Sequence, residues 1–80
     1  AIPAEEMRVI EEILAEYTYH NFRTRQSGHY RFVDFHLELP GSTPLARVHD
    51  ICDQIEKAIE ERLKHTEVTI HVEPNNENVT

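Results

Sequence analysis

Arg31-Phe32-Val33-Asp34-Phe35-His36-Leu37-Glu38-Leu39 is the stretch that decides the fold. Val33, Phe35, Leu37 and Leu39 alternate with Phe32, Asp34, His36 and Glu38. A period of two marks a strand with one face buried and one face bare. The pattern predicts a half-buried strand over about residues 29–39. Just upstream, Ser27-Gly28 interrupts a run of aromatic, β-branched and polar residues as a hairpin turn would, which predicts a partner strand at about 20–26. Further back, Pro3 suits a first helical position, Glu5 and Glu6 suit an opening turn, and Met7, Ile10, Ile13 and Leu14 recur at helical spacing. A helix over about 3–16 is expected.

Downstream, Pro40-Gly41-Ser42-Thr43-Pro44 reads as a turn that delivers a hydroxyl N-cap and a proline at the first helical position. Leu45, Val48, Cys52, Ile55, Ile59 and Leu63 then draw one apolar stripe along a helix of about 44–64. A last strand, about 67–73, sends Val68, Ile70 and Val72 to one face and Thr69, His71 and Glu73 to the other, before Pro74 ends it. Residues 75–80 are expected to fray. The whole reads as one domain, residues 1–80, ordered over about 3–74. A strand, a helix of this length and another strand suit a crossover that lays the third strand parallel to the second. The expected architecture is α+β: an α-β-β-α-β two-layer sandwich in which both helices cover one face of a three-stranded mixed sheet. The other face keeps Phe32, Asp34, His36, Glu38, Thr69, His71 and Glu73.

Eighty residues bury only about 60% of the surface they expose when unfolded, so metal or dimerisation would help such a chain. No apolar run is long enough to cross a bilayer, and no secretion signal opens the sequence, so this piece is expected to be water-soluble. The single cysteine, Cys52, lies on the apolar stripe and reads as a small buried thiol in a reducing compartment. A net charge of −7 argues against nucleic acid and against direct lipid binding, and it attracts cations. No phosphate loop, nucleophile elbow or CxxC pair appears, so no enzyme motif is present.

Six histidines remain to be explained. His71 and Glu73 leave the same strand face about 7 Å apart. If the second and third strands are neighbours, His36 joins them within about 5 Å as a third donor. Imidazole plus carboxylate without thiolate suits Zn2+, Fe2+, Ni2+, Co2+ or Cd2+ and disfavours Cu+. Asp34 and Glu38 stand in the same rows and read as exposed strand residues. His49 lies beside the apolar stripe, four residues before Asp53, and on its own reads as a helix-surface histidine. Arg23, Arg25 and Arg31 flank the hairpin as exposed charges. The residues leave open a metal-sensing domain, a free-standing metallochaperone or metal buffer, and an enzyme that uses His71 and Glu73 as acid and base. The last would need a concave pocket beside them.

Four blocks carry a resemblance: His20-Asn21-Phe22-Arg23-Thr24-Arg25-Gln26-Ser27-Gly28, Arg31 to Leu37, Pro44-Leu45 to His49-Asp50, and Val68-Thr69-Ile70-His71-Val72-Glu73-Pro74. In that order, over about residues 5–74, they resemble the cytosolic C-terminal domain of cation diffusion facilitator transporters. The resemblance implies a ferredoxin-like, metallochaperone-like domain that hangs below a six-helix membrane part at the cytoplasmic face of the inner (plasma) membrane. It implies a homodimer, formed in this reading through the uncovered sheet face, and a family that exchanges divalent cations for protons. Zn2+ is the usual ion, with Fe2+, Cd2+, Co2+, Ni2+ and Mn2+ as others of its class. Carried over residue by residue, the metal ligands fall on His20, His36, His71 and Glu73, with His49 reaching across from the second protomer. Many relatives follow the first histidine with aspartate where this chain has Asn21, which removes one outer carboxylate that would orient His20. His29 and His65 have no counterpart in the pattern.

Overall fold

The structure, a computed structural model, describes residues 2–75. Its elements are α1 (Ala4–Ile13), β1 (Thr18–Ser27), β2 (Tyr30–Leu39), α2 (Leu45–Arg62) and β3 (Thr66–Pro74). The order α-β-β-α-β is the expected one, and the strands form one sheet in the order β1-β2-β3. β1 runs antiparallel to β2, and β3 runs parallel to it, so the sheet is mixed. None of the described helices is long and apolar enough to cross a membrane. The expected frayed tail falls at residues 76–80, outside the described residues; Asn75 is described, and its N–H donates to the Leu39 carbonyl at 2.9 Å.

Two residues, Gly28 and His29, join β1 to β2. Gly28 has φ +61, a left-handed conformation that glycine adopts without a Cβ clash. Both helices begin one residue later than expected, with Pro3 and Pro44 in the capping position. A proline there has a fixed φ and a free carbonyl: Pro3 accepts the N–H groups of Glu6 and Met7, and Pro44 accepts those of Arg47 and Val48. The expected hydroxyl cap does not form. Thr43 Oγ1 instead donates to the Pro40 carbonyl at 2.6 Å, which closes the preceding turn. α1 stops at Ile13 rather than near 16, because Leu14 leaves helical geometry and the Tyr17 N–H turns back to the Leu14 carbonyl.

The core lies between the two helices and one sheet face. Ile10 and Leu14, Val33, Phe35, Leu37 and Leu39, Ile51, Ile55, Ile59 and Leu63, and Val68 are all buried. The stripe on α2 is therefore centred on Ile51, Ile55 and Ile59 rather than starting at Leu45. Leu45 precedes Ile51 by six residues, about 120° round the helix, and is 83% exposed. Cys52 is half-buried, and its thiol is pushed above its ordinary range by that burial and then by Glu56 and Asp53.

Among the described residues, β1 carries the one irregularity in the sheet. His20 pairs with His36 and Arg23 pairs with Asp34, so Asn21 and Phe22 together oppose Phe35 alone. This is a β-bulge, and Asn21 occupies the left-handed region at φ 54, where asparagine is among the better-tolerated residues. Plain alternation would put Phe22 on the same side as His20. The extra residue turns Phe22 inward, where it stacks on Phe35 with ring centroids 6.2 Å apart, while Tyr19 meets the same ring edge-on at 6.0 Å. An ion pair between Arg31 and Glu6 ties the first turn of α1 to the start of β2.

Phe35 is fully buried beneath both aromatic residues. Replacing it with alanine should cost about 3–5 kcal/mol. For so small a domain that is most of the stability, and it should appear as a large drop in the urea midpoint with the slope unchanged.

Candidate metal centre

The pairing of three strands builds a row of histidines. His20 on β1 stands opposite His36 on β2, and His36 stands opposite His71 on β3. All three leave the face that the helices do not cover, because Leu37, Phe35 and Ile70, which flank His36 and His71 in sequence, turn into the core. Ring centroids are 5.3 Å apart between His20 and His36 and 5.0 Å between His36 and His71. On one side of the row stand Glu38 and Glu73, paired with each other, and on the other side Asp34 and Thr69. The fold thus gives each histidine a carboxylate one row away.

Glu73 bridges two of the rings. Its Oε1 lies 2.9 Å from His20 Nε2 and its Oε2 lies 2.9 Å from His36 Nδ1. Glu38 Oε2 lies 3.0 Å from His20 Nδ1. His71 Nε2 lies 3.1 Å from Asp34 Oδ2, and Asp34 in turn meets Arg23 at 3.4 Å. Hydrogen bonding to His36, together with the neighbouring His20, holds the Glu73 carboxyl below its ordinary range against the opposing effect of burial. The Asp34 carboxyl is lowered likewise, first by His71 and then by Arg23.

One ligand atom from each of His20, His36 and Glu73 lies within 4.8 Å of the others. Donors around a tetrahedral Zn2+ sit about 3.3 Å apart, given bonds of about 2.0–2.1 Å, so a small contraction of these half-buried side chains suffices. Two imidazole nitrogens and a carboxylate oxygen fit zinc and its neighbours in the first transition row. Of the residues expected as ligands, these three come together. His71 belongs to the same row but has its Nε2 on Asp34. His49 lies on α2, largely exposed, with Nε2 3.3 Å from Asp53 in its own helix.

Glu38, read from sequence as an exposed strand residue, is in contact with His20 and more enclosed than either His20 or Glu73. Its place two residues after His36 was the available signal. Beside the row, the bare face holds an open hollow of about 430 Å3 bounded by Arg23, Arg25, Phe32, Asp34, Glu67 and Thr69. The Arg25 guanidinium lies over the Phe32 ring at 4.4 Å.

Comparison with known proteins follows the same lines. The family described as "Cation efflux protein, cytoplasmic domain" matches residues 2–75. The cation-efflux pump FieF of Escherichia coli O127:H6 is 42% identical over an alignment of 78 positions that covers 92% of this chain and 26% of that protein. The chain therefore spans about a quarter of the length of the curated relatives it matches. Among solved structures, one of the candidate zinc transporter CzrB in its zinc form is 32% identical with a TM-score of 0.79, covering 100% of this chain and 97% of that one. The metal-bound C-terminal domain of the CzcD transporter from Thermotoga maritima is 28% identical with a TM-score of 0.74, covering 99% of this chain and all of that one.

Two outcomes test the site's construction. Asn21→Gly should keep stability and zinc affinity, because glycine accepts the left-handed backbone. Asn21→Val should lose about 1–2 kcal/mol in urea titration and weaken zinc binding in calorimetry, as the bulge relaxes and His20 leaves the row. The second outcome concerns acid. Carboxyls lowered in the folded state stabilise it above their unfolded values, 4.5 for Glu73 and 3.8 for Asp34, and that stabilisation is lost as pH falls through the folded values. The urea midpoint of the metal-free chain should therefore fall on acidification below about pH 4.5, and Glu73→Gln should flatten that fall.

Proposed function

This chain belongs to the cation efflux proteins as their cytoplasmic domain, and from that premise we propose that it is the metal-responsive, dimer-forming part of a divalent cation exporter. The observation that carries the reading is the His20, His36 and Glu73 cluster on the sheet face left bare by both helices. Zn2+ is the ion that the donor set favours, and the zinc form of the similar CzrB domain supports it. In this reading His71 completes the protomer's ligands, and His49 reaches the site from a second protomer. Exchange of the exported ion for protons would belong to a membrane part beyond these residues.

Electrostatics explain why metal and dimerisation would be linked. Two copies bring together −14 of like charge, which opposes association by an amount that salt screens. Each divalent ion held between them offsets two of those charges and draws side chains from both copies toward one point. Binding favours the closed pair by its difference in affinity for the closed and splayed arrangements. A coupling of about 1–3 kcal/mol, or roughly 5–150-fold in dimer affinity, is the usual size of such a switch. Closure passed to the attached membrane helices would favour export when cytosolic metal rises.

Sedimentation velocity across a concentration series, with and without saturating Zn2+, tests this. Zinc should tighten the dimer roughly 5–150-fold, and His36→Ala should abolish the response. An unchanged dimer affinity at saturating zinc would refute the switch.

A further inference from the structure

His20 is the ligand whose direction is least determined by the fold. It sits on an edge strand immediately before the bulge, whereas His36 is in the central strand and regular pairing joins His71 to it. Yet its ring has a definite orientation. Nε2 faces Glu73 at 2.9 Å and Nδ1 faces Glu38 at 3.0 Å, so the ring spans the two carboxylates. Glu73 is also the residue that meets His36, which puts the ion-accepting point on the Nε2 side. Glu38 lies on the other side of the ring, directly across the β2–β3 pair from Glu73, with its side chain 26% exposed against 38% for Glu73.

We propose that Glu38 is the positioning residue that aims His20 Nε2 at the metal. The inference rests on the reading that this cluster takes up a divalent ion. A neutral imidazole carries one N–H and one lone pair, and an ionised carboxylate can only accept. Glu38 on Nδ1 therefore holds the proton there and leaves the Nε2 lone pair free for the ion. It also fixes the ring's rotation. Among the described residues no hydrogen bond joins Asn21 to His20. The orienting carboxylate comes instead from the neighbouring strand, two residues after a ligand of the same site.

The test compares the unmodified chain with Glu38→Gln, Glu38→Ala and the same changes in a His20→Ala background, reading Zn2+ affinity by chelator competition and Co2+ coordination by visible absorption. Gln, whose amide oxygen can still accept, should weaken zinc binding about tenfold, and Ala by up to about a hundredfold. At saturation the Co2+ bands should match those of the unmodified chain, because the ligands are unchanged. In the His20→Ala background neither change should weaken binding further. The urea midpoint of metal-free Glu38→Gln should match the unmodified chain, which keeps the test valid should the alanine variant fail to fold. Equal zinc affinity in the unmodified and Gln chains would overturn the proposal. So would shifted Co2+ bands, which would make Glu38 a direct ligand, or an equal loss without His20, which would make its effect one of general charge. Absence of metal binding by the unmodified chain would instead sink the site and this inference together.

Discussion

The parallel pairing of β2 with β3 is the interaction on which the rest depends. It puts His36 opposite His71 and Glu38 opposite Glu73, residues 35 apart in the chain that no local structure could bring together. The register is not free to slip. A shift by one residue would turn Val33, Phe35 and Leu37 out of the core and the site residues into it, so the same burial that stabilises the sheet fixes the site. Both helices are spent on one face. Among the described residues no element packs on the other face.

That open face sets imidazoles against carboxylates, an arrangement suited to a cation. In a chain of net charge −7, the row pairs imidazoles with carboxylates: His20 with Glu38 and Glu73, His36 with Glu73, and His71 with Asp34. Glu73 and Asp34 are stabilised in their charged form by the rings beside them, and the rings in turn are held by hydrogen bonds to carboxylates. Desolvating an incoming ion is costly, and preset donors reduce the rearrangement that must accompany it. Arg23 on Asp34 draws part of that carboxylate's charge away from His71, which distinguishes this end of the row from the end at Glu73.

Most of the architecture was legible because the signals were periodic. The alternation from Val33 to Leu39, and again at Val68 and Ile70, reported which face was buried; Val72, also expected on that face, is 39% exposed and outside the core. The length of the intervening helix then pointed to a parallel third strand, whereas its place beside β2 was a condition that the structure supplies. Legibility failed where a single residue changed the phase. Nothing in the period of β1 announces that Asn21 and Phe22 share one partner, and only asparagine's tolerance of the left-handed region hints at it. The Thr43 hydroxyl was misread because a turn offered a nearer acceptor than a helix end. Leu45 was misread because a stripe of three- and four-residue steps drifts round the helix. The three convergent donors include His20, which only the family resemblance supplied, since its approach to His36 depends on the hairpin's register and on the bulge. Glu38 was visible but mute, because a carboxylate that orients a ring has the same spacing as one that faces water.

The bulge also lets one strand serve two surfaces. Its surplus residue lies between His20 and Arg23, both of which stay paired with β2, so Phe22 packs on Phe35 while His20 keeps its place on the bare face. Strict alternation would have sent both side chains the same way, and the extra residue spares the strand that competition.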